Sequence, residues 1–460
     1  MEVSHAHIVS NETIEARAWT VKLTGDRLRP RHVMIRLGNN TGGGMPTLDD
    51  PVDGPVGQAL WARADQVLPG GGIYYSRSAD FAGRGVLPGF IASAQGCRVT
   101  DVDGRTYIDF LCANGPNILG YRHPEVEAAV RRQAEQQTSA SLFPPALVEV
   151  IERLVARIPG MAFGVTSKNG SEVVSLGVRM ARQHTGRRTV ITFDRAYHGS
   201  DPELANRPPP GPLSDGVRDI VRLPWNDPQR LADHCAAHAD TTAAILLNPL
   251  DQNPGLQTVA PSPEFLGAIR AAQARHDIQL VFDDVRHGFR LDPVGSFRPL
   301  GLEPDVAAFG KALGNGYAIS ALVAREHLRA AARKIFYTST FMFEAPAMAA
   351  AMAMLEIYER DNVFAHITAM GERLRTGILA AAAKAGHAIT YTGPVTMPTL
   401  LLADDPGGAR LKIFARAASG RGAILHPNLN WNLSGAHRPE DIDETVAIAG
   451  AAFAETPGPG

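Results

Sequence analysis

The stretch Val281–Arg290, VFDDVRHGFR, starts as a short apolar run and ends in charge. A second stretch, Ala307–Ser320, AAFGKALGNGYAIS, has the same build: apolar residues, then Gly310-Lys311, then a glycine-rich turn. Short apolar runs bounded by turn residues read as strands of a sheet covered on both faces. In an open α/β sheet, ligands bind beyond the carboxyl ends of the strands. Both segments therefore deliver charged groups to the place where a site should form. A lysine hemmed in by Ala and Gly at a strand end suits a partly desolvated amine, because burial favours the neutral, nucleophilic form.

Working outward, further strand candidates are Thr189–Phe193, Ala243–Leu247 and Ser320–Val323, with Gln279–Asp283 and Val306–Phe309 inside or beside the quoted stretches. Helical patterns lie among them at Ser171–His184 and Pro263–His276. Strands alternating with helices predict an α/β fold with a mostly parallel sheet. A long helical stretch follows, Ala349–Ala385, with a break predicted at Asp361-Asn362, and then strands at Ile389–Thr392 and Thr399–Leu402. Upstream, Cys97–Val102 and Arg105–Phe110 flank Asp103-Gly104, a hairpin signal. The expected division is a large domain over 126–345 and a smaller α+β domain built from both chain ends, 54–125 and 346–460. Residues 1–53 end in the Gly-, Asn- and Asp-rich run Gly38–Asp53 and read as a disordered extension without an assigned role.

Composition narrows the function classes. The 460 residues are 45% hydrophobic and 20% charged, with a net charge of −2. No basic excess points to nucleic acid. The three cysteines, Cys97, Cys112 and Cys235, have neither disulfide nor zinc-site spacing, so no metal is expected. No secretory signal or membrane span is read, and a cytoplasmic protein is expected.

A third element is KNGSEVVSLGVRMAR, Lys168–Arg182, in which Asn169-Gly170-Ser171 opens an amphipathic helix. Free N–H groups and the positive dipole end at a helix N-terminus suit a phosphate. Gly170 permits close backbone approach, and Ser171 adds a hydroxyl. Taken singly, each of these residues has an ordinary reading: Lys311 as a loop lysine, Asp283 as a turn residue, Asn169 as a helix cap.

Together, Asp283-Asp284-Val285 and Lys311 resemble the Asp-Glu-Val…Lys signature of class III aminotransferases, which use pyridoxal 5′-phosphate. The resemblance covers about residues 57–455 and implies the type I fold of pyridoxal-phosphate enzymes. It implies that Lys311 carries the cofactor as a Schiff base, that Asp283 faces its ring nitrogen and that Val285 presses on one ring face. Asn169-Gly170-Ser171 is a variant of the family's phosphate motif, and Tyr197 of Ala196-Tyr197-His198-Gly199 is implied on the ring. In Phe336–Ala351, Thr340 aligns with a threonine that reaches the neighbouring subunit's phosphate, implying a homodimer with shared sites. Phe343-Glu344 replaces the usual small pair there, Asn248-Pro249 replaces Glu-Pro, and Asp284 is one methylene shorter than the usual Glu.

Within the family, Leu68–Gly71, Cys112–Val126 and Leu433–His437 resemble the glutamate-1-semialdehyde aminomutase branch. Asp284-Val285-Arg286 and His426-Pro427 narrow this to a subgroup that includes a bacterial aminotransferase acting on hydrolysed fumonisin, a long-chain amino polyol. The implied reaction moves an amine from a primary amine donor to a 2-oxo acid such as pyruvate, by a ping-pong route. Arg77 stands where the aminomutase branch places its carboxylate-binding arginine. Asn114 and His198 are further candidate substrate contacts. Two alternatives stay open: a 2,1-aminomutase, and a catalytically silent protein that binds the cofactor.

Overall fold

The computed structural model describes residues 52–69, 81, 83–205 and 219–458. The extension read over residues 1–53 therefore lies almost wholly outside the described residues, as does Arg77. The helix Pro55–Val67 leads into β1 (Ile91–Gln95), β2 (Arg98–Asp101) and β3 (Thr106–Asp109). These strands form an antiparallel meander, with the predicted Asp103-Gly104 turn between β2 and β3. Gly104 has φ 88°, the left-handed conformation that a glycine adopts at no steric cost.

The large sheet holds β4 (Phe163–Ser167), β5 (Thr189–Phe193), β6 (Ile220–Leu223), β7 (Thr242–Leu247), β8 (Gln279–Asp283), β9 (Val306–Phe309) and β10 (Ser320–Ala324). Its order is β4-β10-β9-β8-β7-β5-β6. All neighbours are parallel except β10, which runs antiparallel to both β4 and β9. The fold is thus α/β with a mostly parallel sheet, as the apolar runs required. β4 and β6 were not legible: Phe163–Ser167 carries Gly164 and two hydroxyl residues, and Ile220–Leu223 carries Arg222.

Side-chain alternation splits the core across the sheet. Val190, Ala244, Leu246, Val281, Val306 and Leu322 pack against Val173, Val174, Leu176, Val178 and Met180 of the helix Gly170–Thr185. Residues one position along, including Ile191, Phe193, Ile245, Leu247, Phe282 and Phe309, join the larger cluster on the other face. There Phe265 of the helix Pro263–His276 is fully buried, 4.9 Å from the Phe193 ring and 5.4 Å from Trp225. Phe265→Ala should lower stability by about 3–5 kcal/mol, because it removes buried area and leaves a cavity. A urea-unfolding midpoint measures it.

The long helical stretch is two helices, Ala345–Arg360 and Val363–Lys384, split where predicted: Asn362 has φ 47°. β11 (Ile389–Thr392) pairs antiparallel with β12 (Thr399–Leu402). The two-residue β13 (Ala423–Ile424) joins β3 in parallel, so the four-stranded sheet uses sequence from both ends of the described chain. No helix among the described residues is long and apolar enough to cross a membrane.

Candidate active site

The carboxyl ends of β5, β7, β8 and β9 open onto one cavity of about 380 Å³. It is lined by Asn169, Gly170, Ser171, Tyr197, His198, Asp283, Val285 and Lys311. The two decisive sequence segments thus meet in space.

Lys311 follows β9 through Gly310 and opens a single 3₁₀ turn, Lys311–Gly314. Its φ is 42°, a left-handed value that costs a side-chain-bearing residue about 1–3 kcal/mol and marks a position held by its surroundings. Burial is the main force on its amine. The Arg286 charge adds to it and Asp283 opposes it, and the amine comes down to about 8. A fraction of Lys311 is therefore neutral near pH 7.

Asp283 ends β8 and is buried. One oxygen, Oδ1, accepts the Val285 N–H at 3.2 Å, and Oδ2 lies 2.8 Å from His198 Nδ1. The Nε2 of His198 is 3.1 Å from Thr192 Oγ1. A tautomer with the proton on Nδ1 donates to the carboxylate and accepts from the threonine hydroxyl. His198, expected at the substrate, thus spends both ring nitrogens on Asp283 and Thr192. It orients the acid. Asp284 does not line the cavity; it accepts the Ser296 N–H at 2.8 Å, and burial pushes its carboxyl up to about 7.

Asn169 caps the helix Gly170–Thr185 by accepting the Glu172 N–H at 3.1 Å. The Oγ of Ser171 accepts the Ser200 N–H at 2.9 Å. A Cβ on Gly170 would fall 2.6 Å from Val285 Cγ1, and one on Gly310 3.1 Å from the same atom. Val285 is therefore packed against two glycines, and neither position admits a larger residue without moving it. Gly170→Ala should displace Val285 and, by overpacking, lower stability by about 1–3 kcal/mol, read as a shift in the urea-unfolding midpoint. Tyr197 is 60% exposed, which leaves an aromatic face free for a second ring.

Thr340 is exposed and does not line its own chain's cavity. Asn114 lines a different cavity, of about 330 Å³, beside Trp61, Leu111 and Ile424. Its neighbour Gly115 borders the lysine: a Cβ there would lie 3.9 Å from Lys311 Cδ. The departure at Glu344 has a structural use, since Glu344 pairs with Lys168 in the cavity wall.

Three side chains were given no site role in the sequence reading: Arg286, Asn430 and Asn432. The guanidinium of Arg286 lines the cavity and donates to the Gln252 carbonyl at 2.7 Å and to Asn430 Oδ1. Asn430 reaches Asn432 Oδ1 at 3.3 Å, and Asn432 reaches the Leu111 carbonyl at 3.2 Å. Polar residues at alternate positions around the buried Trp431 were the available signal.

An acid for a ring nitrogen, a neutralisable amine, a flat apolar wall and a helix N-terminus with hydroxyls fit one group, a phosphorylated pyridine aldehyde. The model for class III aminotransferases matches residues 81–393, and the chain belongs to that family. It is 36% identical to the aminopentol aminotransferase of Sphingopyxis macrogoltabida over 86% of this chain and 93% of the relative. It is 31% identical to the 3-aminobutyryl-CoA aminotransferase of Cloacimonas acidaminovorans over 86% and 96%. Among solved structures, the FumI protein of Sphingopyxis sp. MTA144, in its pyridoxal-phosphate internal aldimine form, superposes with a TM-score of 0.83 at 35% identity. That match covers 87% of this chain and 96% of the FumI chain. The protein is a pyridoxal-phosphate-dependent aminotransferase, with amines and oxo acids as its substrate classes.

Proposed function

We propose that the chain moves an amino group from a primary amine to a 2-oxo acid such as pyruvate, in two half-reactions that share one site. The observation that carries this is Lys311, its amine brought down to about 8, in one cavity with the buried Asp283. The relatives whose names specify an aminopentol and an aminobutyryl thioester support donors other than the simplest amino acids. A long-chain or polyol amine is the donor class we favour.

Bound pyridoxal phosphate supplies an electron sink for the charge left when the donor carbon loses a proton. Lys311 Nζ anchors the cofactor, then takes that proton as general base and returns it as general acid. Asp283 keeps a proton on the ring nitrogen, and His198 fixes the carboxylate that does so. Val285 and Tyr197 would flank the cofactor ring, one on each side. Asn169, Gly170 and Ser171 receive the phosphate, with Thr340 of a second copy. Exposed Leu142, Phe143, Phe336 and Phe341 support a homodimer, since apolar side chains of this size are normally covered. Sedimentation should then give twice the chain mass. Arg77 and Asn114 are kept as proposed substrate contacts, and the cytoplasm as the proposed compartment.

The test is a panel of amines with pyruvate, read as alanine formed. Alanine production supports the transaminase. Isomerisation of an amino aldehyde with no alanine from any donor would establish an aminomutase instead. Cofactor absorbance that ignores every amine would leave a silent binding protein. A pH series gives a second check on Lys311. Capture of free cofactor by the cofactor-free protein needs the neutral amine. Its rate should rise about tenfold per pH unit below about pH 8 and level off above it.

A further inference from the structure

Besides Lys311, three basic residues with permanent or near-permanent charge line the cavity among the described residues: Lys168, Arg195 and Arg286. Lys168 is paired with Glu344, and Arg195 with Asp251. Arg286 makes no ion pair among the described residues. Its two described hydrogen bonds go to neutral acceptors, the Gln252 carbonyl and the Asn430 side chain. Burial brings its guanidinium down to about 10, so it remains charged at neutral pH.

A desolvated cation without a counter-ion is costly, and such charges are normally paired or bound to an anion. The neutral amides do not offset that cost. They aim the group: Asn430 is held by Asn432, and Asn432 by the Leu111 carbonyl. Two N–H groups are committed, and a guanidinium has five in a planar fork that matches a carboxylate. The charge is also felt at the reacting end, because Arg286 is the second-largest influence lowering the Lys311 amine.

We propose that Arg286 takes the carboxylate of the 2-oxo acid acceptor, and so selects the second substrate of the reaction. The inference rests on the transaminase reading given above. A 2-oxo acid carries its carboxylate one bond from the reacting carbonyl, which calls for a cation close to Lys311. A primary amine donor without a carboxylate has no group for that cation. Arg286 therefore separates acceptors by their acid group and leaves the donor half-reaction to other contacts.

The experiment compares holoenzyme half-reactions by rapid mixing, read from the cofactor's absorbance. The variants are Arg286→Met, Arg286→Lys and, for comparison, Arg77→Met. Acceptors are pyruvate and propanal, which lacks the carboxylate. In Arg286→Met, kcat/KM for pyruvate should fall by about 10²–10³-fold, the scale for losing one partner of a buried charge pair. For propanal the change should stay under about tenfold. Arg286→Lys should recover part of the pyruvate rate, since the charge stays and the fork is lost. Melting temperature should hold or rise in Arg286→Met, because an unpaired, half-buried charge is removed. Equal losses for pyruvate and propanal would overturn the proposal. So would a pyruvate-selective loss in Arg77→Met with none in Arg286→Met. A wild-type enzyme that reacts with neither acceptor would overturn the transaminase reading itself, a separate outcome.

Discussion

Lys311→Ala is expected to lower single-turnover rates by about 10⁴-fold or more, with the fold intact. General acid–base catalysis alone is worth about 10²–10⁴-fold, and this variant also removes the anchoring amine. Lys311 extends from a 3₁₀ turn whose neighbours Ala312, Leu313 and Gly314 are buried, so truncating it leaves the packing in place. The variant should retain cofactor through its phosphate and ring contacts, yet process an added amine only slowly. A small external amine such as methylamine should restore part of the proton transfer, because the cavity then has room for a base where Nζ was. Stopped-flow absorbance with and without methylamine checks both statements. Retention of wild-type rates would remove Lys311 from the reaction.

Asp283→Asn carries the next largest expected effect, a fall in kcat of about 10²–10³-fold. The amide keeps the shape of the side chain and can still meet His198 Nδ1 after a tautomer exchange. Only the charge is lost, and with it the hold on the ring proton. The loss should therefore appear in the proton-transfer step and leave the melting temperature within a few degrees of wild type. His198→Gln should act in the same direction but more weakly, because it frees the carboxylate without discharging it. Rapid-mixing rates for the two variants with a single amine give the ordering directly.

Much of the cofactor end of the site was legible because it depends on local sequence. A buried strand must be apolar, and the residue where it stops must be polar. The Phe282–Asp283 and Phe309–Lys311 junctions therefore announce themselves in any reading for strands. The helix opening at Gly170 is equally local, since its cap and amphipathic face lie within sixteen residues. Long-range pairings were not legible. The His198 contact to Asp283 spans 85 positions, and the Arg286 contact to Asn430 spans 144. Nothing in the residues near either partner encodes them. His198 was accordingly read only as a candidate substrate contact, without its bonds to Asp283 and Thr192, and Arg286 went unremarked as a charge in the cavity. In the sheet, β6 and β4 were missed because they carry polar or glycine residues, and pairing with neighbours, more than propensity, makes them strands.

The central claim is that Lys311 is the residue to which the cofactor is joined. Borohydride reduction of the holoenzyme fixes that bond, and peptide mapping by mass spectrometry then locates it. The account predicts the reduced adduct on the peptide carrying Lys311, and its absence after pretreatment with an amine donor. An adduct on Lys168, the other lysine of the cavity wall, or no adduct on any lysine, would contradict it.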